Sequence, residues 1–192
     1  MKRDHFILTI LASTGFPFRP FAQIKKALIR YDKGFKVKAG EARLHGHLEL
    51  HANISDSIDV KISGNDTDGY LAIFEHSGLS QGRGWPMHLN QLQDKTFYVT
   101  EGEFVFMIGE EKHRLLAGDT LFVPRKLVHA WTQLSETGKM MLTVQPAGKM
   151  ESLFRSLAAL THDPTPTELN QIFGEHNIEI VGPVLKSEDF EN

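Results

Sequence analysis

The chain has 192 residues, 41% of them hydrophobic, which is enough for one β-barrel domain with a sizeable core and requires no second domain. Its formal net charge of −3 and isoelectric point near 6.4 provide no basic surface for a phosphate backbone, so we expect no nucleic-acid partner. The absence of cysteine excludes disulfide bonds, thiolate metal ligands and a cysteine nucleophile.

Residues 1–43 precede the predicted barrel and allow two interpretations. Lys2 and Arg3 come before the short apolar stretch 6–12, which is the outline of an export signal over residues 1–22. The alternative is an amphipathic helix that packs on the barrel or on a second subunit, so a cytoplasmic and an exported, periplasmic location both stay open. The apolar stretch is shorter than the ~20 residues of a membrane span, and a basic, solvated connector follows it.

Residues 44–147 contain short runs of alternating apolar and polar residues, separated by Gly, Asn and Asp. These runs predict strands at 44–50, 58–62, 70–74, 96–100, 104–108, 113–116, 121–123, 128–132 and 140–144. Such regular short strands are typical of an antiparallel barrel or sandwich. Residues 44–147 are therefore predicted to be mainly β.

The C-terminal residues 148–192 change to a helical pattern. Apolar residues at helical spacing predict one helix, and they are Met150, Leu153, Phe154 and Leu157. Thr165, Pro166 and Glu168 form the start signal of a second helix that runs to about Glu175. We expect both helices to cover an end or an outer face of the barrel, or to meet a partner subunit.

Two segments, 82–102 and 118–133, carry the functional signal. The first contains Gly82, His88, Asn90, Lys95 and Gly102, and the second contains Gly118, Pro124, His129 and Gln133. Alternation places His88 and Asn90 on one face of their strand, Lys95 and Phe97 on one face of the next, and His129, Trp131 and Gln133 on one face of a third.

These segments resemble the paired motifs of the cupin superfamily. In that family two histidines and a glutamate from the first motif and one histidine from the second bind a divalent metal inside the barrel. The runs 93–103, 117–125 and 145–151 are similar to bacterial small cupins of the cupin-2, quercetinase-like type. The resemblance implies a single cupin barrel, a double-stranded β-helix or jelly roll, over residues 44–147.

The metal motif is degenerate in this chain. His88 and His129 occupy ligand positions, whereas Asn90 stands in place of the second histidine and Lys95 in place of the glutamate. Two imidazoles without a carboxylate make a weak site, an Asn carbonyl is a poor third ligand, and an ammonium repels a dication. We therefore predict either no metal or a weakly bound Fe, Mn, Ni, Cu or Zn ion at His88, Asn90 and His129.

Three functions from different classes follow. The first is a pocket protein that binds a small, aromatic or anionic molecule, with the pocket lined by Met87, Lys95, Phe97, Trp131 and Gln133. The second is a metal-dependent dioxygenase of the quercetinase-like kind, and the third is a non-catalytic homodimer. Whether the protein is an enzyme stays open. We expect a homodimer because a small barrel leaves an exposed sheet edge.

A second group of metal-ligand residues lies near the start of the barrel. His45, His47, Glu49 and His51 alternate along one predicted strand, so their side chains could share a face. Two histidines at this spacing can chelate an ion, although solvated surface groups show the same pattern. A metal bound here would not indicate a site inside the barrel.

Overall fold

The computed structural model describes residues 33–50, 56–78, 80–186 and 188. The predicted export signal or amphipathic helix at residues 1–22 lies outside these residues. The described part of the chain forms eleven β-strands and two α-helices, and its paired strands are antiparallel. The prediction of a mainly β barrel followed by helices is confirmed.

The strands form two sheets. In spatial order, the six-stranded sheet contains β1 (Leu44–Glu49), β2 (Asp56–Ile62), β3 (Ala72–Gly78), β10 (Gly138–Gln145), β5 (Asp94–Glu101) and β8 (Thr120–Val123). The five-stranded sheet contains β11 (Ile178–Val184), β4 (Gly84–Asn90), β9 (His129–Gln133), β6 (Glu103–Ile108) and β7 (Glu111–Leu116).

The strand order explains why two motifs that are distant in sequence meet in space. Strands β4 and β9 are neighbours in the five-stranded sheet, and His88 lies opposite His129 in their register. Strand β5, which carries Lys95, belongs to the facing sheet. The inward faces of all three strands therefore point into the same interior.

The core lies between the two sheets. Phe97 on β5 and Phe106 on β6 are at most 1% exposed, and their ring centroids lie 4.9 Å apart, so they join the sheets directly. Along β3 and β10 buried residues alternate with partly exposed ones, as a period of two requires. Burial of each such phenylalanine contributes about 1.5–3 kcal/mol to folding.

Two helices close one end of the barrel. Helix α1 (Met150–Ala158) buries the predicted apolar stripe, and helix α2 (Pro166–Glu175) begins at Thr165 with the predicted reciprocal capping box. Their aromatic residues Phe154 and Phe173 pack against Trp85 of β4, with ring centroids 5.9 and 5.3 Å away. Among the described residues neither helix has the length or apolarity that crossing a membrane requires.

The chain then returns to the barrel as a C-terminal strand, which the sequence pattern does not predict. After α2, strand β11 pairs antiparallel with β4, and Ile180 lies opposite His88 in the register. Only Ile178 and Ile180 provide an alternating apolar signal here, because Gly182 and Pro183 interrupt it. Whether a segment forms a strand at a sheet edge depends more on its pairing with the neighbouring strand than on its own composition.

The second histidine group does not form the predicted chelating face. His45 and Gly46 have positive φ angles of 66° and 68°, and the register with β2 shifts between Leu44 and Leu48. His45 consequently pairs with Glu151 at 2.8 Å, whereas His47 pairs with Asp59 at 2.7 Å. His51 lies outside the described residues, within which no three His, Cys, Asp or Glu side chains form a metal-binding group.

Candidate functional site

Lys95 lies between the two motif histidines. Its Nζ atom is 2.9 Å from Nε2 of His88 and 3.3 Å from Nε2 of His129. The exposed fractions of Lys95, His88 and His129 are 3%, 1% and 1%, so water does not solvate the group. The arrangement follows from the fold, because β4 and β9 bring the imidazoles side by side and β5 presents the lysine from the facing sheet.

The backbone fixes the tautomer of each imidazole. Nδ1 of His88 lies 2.8 Å from the carbonyl oxygen of Pro86, and Nδ1 of His129 lies 2.9 Å from that of Leu127. A carbonyl oxygen only accepts hydrogen bonds, so each Nδ1 carries the proton and donates it. Each Nε2 therefore presents a lone pair, and Lys95 donates to both.

Burial controls the charge of this cluster. It lowers the pKa of Lys95 from 10.5 to about 7. Burial, and next the neighbouring Lys95, lower the pKa of His129 to about 3, and the same two causes hold the pKa of His88 well below its usual range. Near neutral pH both imidazoles are neutral, and the amine of Lys95 is the group that exchanges a proton.

A small cavity lies in the barrel interior beside Lys95. Its lining consists of His76, Trp85, His88, Lys95, Phe97, Trp131, Leu142, Met150 and Phe154. Its volume is about 10 Å³, close to the space that one water molecule needs. The indole Nε1 of Trp85 is buried and has no hydrogen-bond partner in the described part of the chain. The cavity thus combines aromatic walls with a free N–H donor.

The structure brings three of the five predicted pocket residues to this cavity, namely Lys95, Phe97 and Trp131. Met87 lies on the opposite face of β4 from His88 and packs against Gly182 of β11, because neighbouring residues of a strand alternate in direction. Met87 therefore lies away from the cavity that Lys95, Phe97 and Trp131 line.

Gln133 and Asn90 also lie away from the cavity wall. Gln133 lies beyond Trp131 on β9, and its Nε2 donates to the carbonyl oxygen of Ser135 at 2.8 Å. Asn90 is buried, but its Nδ2 lies 3.4 Å from Oε1 of Gln93. The amide nitrogens of both side chains make these local contacts, whereas Oδ1 of Asn90 and Oε1 of Gln133 are buried without a hydrogen-bond partner in the described part of the chain.

Several cavity residues were not identified from the sequence. His76 could have been found, since it continues the buried alternation of β3. Trp85 could not, because a register shift between Trp85 and His88 breaks the alternation along β4. Met150 and Phe154 were expected only as packing residues, and their position beside Lys95 depends on where α1 lies across the barrel end.

The donor set does not fit a divalent metal. The two imidazole lone pairs converge on one point, but the Nζ atom of Lys95 occupies that point and acts as a donor itself. A dication there would need a carboxylate or a third imidazole, and none of the described His, Cys, Asp and Glu side chains completes such a set. The amine of Lys95 satisfies both histidines instead.

Two antiparallel sheets that enclose paired histidines on neighbouring strands define a small jelly-roll barrel with a polar interior site. The family described as Cupin domain matches residues 76–145, which contain His88, Lys95 and His129. Residues 76–145 therefore carry a cupin domain.

Similar solved structures share this fold. Pac13, a nucleoside dehydratase from Streptomyces, is 19% identical with a TM-score of 0.51, and the match covers 81% of this chain and 98% of Pac13. An RmlC-like cupin from Shewanella frigidimarina is 19% identical with a TM-score of 0.48, covering 60% of this chain and 92% of that one. No curated protein sequence matches the chain. At these identities the similarity shows the fold alone.

Proposed function

We propose that this protein is a metal-independent cupin that binds a small anionic molecule inside its barrel, with Lys95 in the role that a dication has in other members. The observation that carries the proposal is the position of Lys95 Nζ, 2.9 and 3.3 Å from the two imidazole Nε2 atoms. An ammonium held at this point attracts a ligand oxygen and repels a metal ion.

The N–H donors at this site favour a ligand that accepts hydrogen bonds. A lysine ammonium has three N–H donors, of which the histidines use two. The third donor and the unpartnered indole N–H of Trp85 are available to ligand oxygens. A buried donor without an acceptor destabilises the folded protein. A carboxylate that accepts hydrogen bonds from Lys95 and from Trp85 would therefore be stabilised at this site.

Charge and size narrow the ligand class. No carboxylate of the described residues forms an ion pair with Lys95, so an anion would supply the missing counter-charge and raise the lysine's proton affinity. The cavity volume of about 10 Å³ admits a compact ligand only when Met150 and Phe154 of α1 move. A small carboxylate that contacts the aromatic walls meets both conditions.

Tryptophan fluorescence can test this proposal directly. The chain has two tryptophans, and both Trp85 and Trp131 line the cavity, so a ligand there changes the whole tryptophan signal. We expect saturable changes with acetate or glyoxylate for the wild type and for Lys139→Met, a control on the outer face of β10. Lys95→Met should lose the response. A wild type without a saturable response to either acid would overturn the proposal.

A metal-dependent, quercetinase-like dioxygenase is the competing proposal. It is favoured by one observation, the convergence of the two Nε2 atoms on a single point. Elemental analysis of protein purified without a His tag or chelating column separates the two. A stoichiometric metal that disappears in His88→Ala and in His129→Ala would favour the dioxygenase.

We also propose that the protein is a homodimer that buries the outer face of the six-stranded sheet. Phe122 on β8 and Tyr98 on β5 lie on neighbouring strands of this face and are 58% and 44% exposed. Tyr70, which is 69% exposed, lines the same surface groove as Phe122. Exposed aromatic groups of this kind are typical of a surface that a second subunit covers.

A further inference from the structure

We propose that Lys95 forms an imine with a small α-oxo acid, a step that rests on the proposed binding function and specifies its ligand. The geometry points to this chemistry because a primary amine lies at the wall of an aromatic cavity, with imidazole lone pairs as its neighbours. Amine nucleophiles of this kind are activated by removal from water and by an adjacent base.

A second buried lysine, Lys61, has different hydrogen-bond partners from Lys95. Lys61 is 8% exposed, but its Nζ lies 3.2 Å from Oδ2 of Asp59 and 3.1 Å from Oε1 of Glu75, and it also donates to the carbonyl oxygen of Glu41. The amine of Lys61 is thus paired with two carboxylates, which accept its N–H groups. Lys95 contacts neutral imidazole nitrogens in place of carboxylates, so no counter-charge in the described residues pairs with its amine.

His88 is suited to move a proton of the Lys95 amine. It lines the cavity, and its Nε2 is the closer of the two to Lys95, at 2.9 Å. Because Nδ1 of His88 donates to Pro86, Nε2 can take a proton and return it without a change of tautomer. His129 does not line the cavity, and we assign it the role of a positioning residue that orients the amine of Lys95.

The proposed step balances without an oxidant or a reductant. The lone pair of neutral Nζ forms a bond to the carbonyl carbon, and the π electrons of the C=O bond move to oxygen. One proton passes from nitrogen through Nε2 of His88 to that oxygen and gives a carbinolamine. The second nitrogen proton reaches the same oxygen as the C–O bond breaks, so water leaves and the nitrogen lone pair completes the C=N bond. The product is an imine between Lys95 and the acid, while the N–H of Trp85 can donate to the departing oxygen.

The α-oxo acid class follows from the charges and the space. The carboxylate can accept a hydrogen bond from the neutral amine of Lys95, and the neighbouring carbonyl carbon, one bond away, is then within reach of the same nitrogen. The cavity favours the smallest members, so glyoxylate is the probe of choice. Acetate is its matched control, because it carries the carboxylate without a reactive carbonyl.

Reductive trapping in the full-length wild type tests the inference. Glyoxylate and cyanoborohydride convert an imine into a carboxymethylated lysine, which peptide mapping assigns to a residue. We expect Lys95 to carry roughly tenfold or more adduct than Lys61 after brief treatment, with acetate giving none. Lys95→Met should lose the adduct, and His88→Gln should slow its formation.

The outcomes separate this inference from the proposed function. Saturable fluorescence changes with acetate and glyoxylate, but no adduct on Lys95, would overturn the imine and leave the binding function standing. Failure of both acids to change the fluorescence, with no adduct, would overturn both. Adducts that follow surface exposure and spare Lys95 also overturn the imine. Since all three results come from the wild type, they do not depend on whether Lys95→Met folds.

Discussion

His88 and His129 lie directly opposite each other on β4 and β9, with imidazole centroids 4.2 Å apart. Each ring donates through Nδ1 to a backbone carbonyl, so both Nε2 lone pairs point away from their strands toward a common neighbour. Two such lone pairs need a shared donor or a shared cation. Lys95 meets that need, because its Nζ atom lies 2.9 and 3.3 Å from the two Nε2 atoms.

Replacing Lys95 by glutamate should create a metal site. Lys95→Glu, alone or with Asn90→His, removes a cation and adds a carboxylate beside the two imidazoles. At an effective dielectric near 20 this reversal changes the Coulomb energy of a dication by several kcal/mol, so we expect affinity for Ni, Zn or Fe to rise on the order of a hundredfold. Calorimetric titration of the metal-free protein measures this affinity. Equally tight, stoichiometric binding by the unmodified chain would contradict the metal-independent proposal.

The stability of the wild type should rise with pH relative to Lys95→Met. Burial lowers the pKa of Lys95 from 10.5 to about 7, so between these values the unfolded chain binds a proton that the folded chain has released. Stability therefore increases from pH ~7 toward pH ~10, with a slope that approaches about 1.4 kcal/mol per pH unit from this group. The variant lacks this contribution.

Urea unfolding of both proteins across this range measures the difference. Lys139→Met is the control, because Glu101 raises the pKa of this exposed lysine and no gain is expected from it in the window. A stability difference between wild type and Lys95→Met that does not change from pH 7 to pH 10 would show that Lys95 is not desolvated.

Two glycine variants should shift stability in opposite directions. A Cβ at Gly84 would overlap the carbonyl oxygen of Trp131 and lie 2.8 Å from Cα of Thr132, so Gly84→Ala should destabilise the fold by about 1–3 kcal/mol. Gly174 in α2 has no neighbouring atom within 4 Å of such a Cβ, and Gly174→Ala should stabilise by about 0.5–1 kcal/mol. Chemical denaturation compares them, and equal effects would contradict the close approach of β4 to β9.

Helix α1 should control the access of ligands to the cavity. Phe154 packs against Phe74, His76 and Trp85 with ring centroids 4.9, 5.6 and 5.9 Å away, so Phe154→Ala should cost about 3–5 kcal/mol of stability. It should also speed the fluorescence response to glyoxylate, since the side chain lines the cavity. Arg155→Ala, on the exposed face of α1, is the control. An unchanged association rate in a folded Phe154→Ala would show that ligands enter elsewhere.

Light scattering at micromolar concentration should find a homodimer. Phe122→Lys places a charge in the centre of the proposed interface and should shift the protein toward a monomer. Leu116→Lys is the matched control, because this residue is 53% exposed on β7 of the other sheet and should leave the dimer intact. A monomeric wild type, or equal effects of the two variants, would contradict the proposed interface.

Local patterns in the sequence determined much of the fold. The alternation along β5 and β9 predicts that Lys95 and Phe97 share a face, as do His129 and Trp131, and the structure places them so. Thr165 and Glu168 predict the start of α2, because capping involves neighbours in the chain. These features rest on spacings of two to four residues, which the sequence displays directly.

Only the tertiary structure decided which chemistry the interior offers. Contact between Lys95 and the histidines depends on how far the two sheets lie apart, and the place of Trp85 depends on a register shift in β4. The positions of α1, α2 and β11 depend on packing between segments that are far apart in the chain. The contact of Phe173 with Trp85 is one example. Contacts over such separations are set by the whole core, so the spacing of the motifs alone does not give the distances between the Lys95 amine and the two imidazoles.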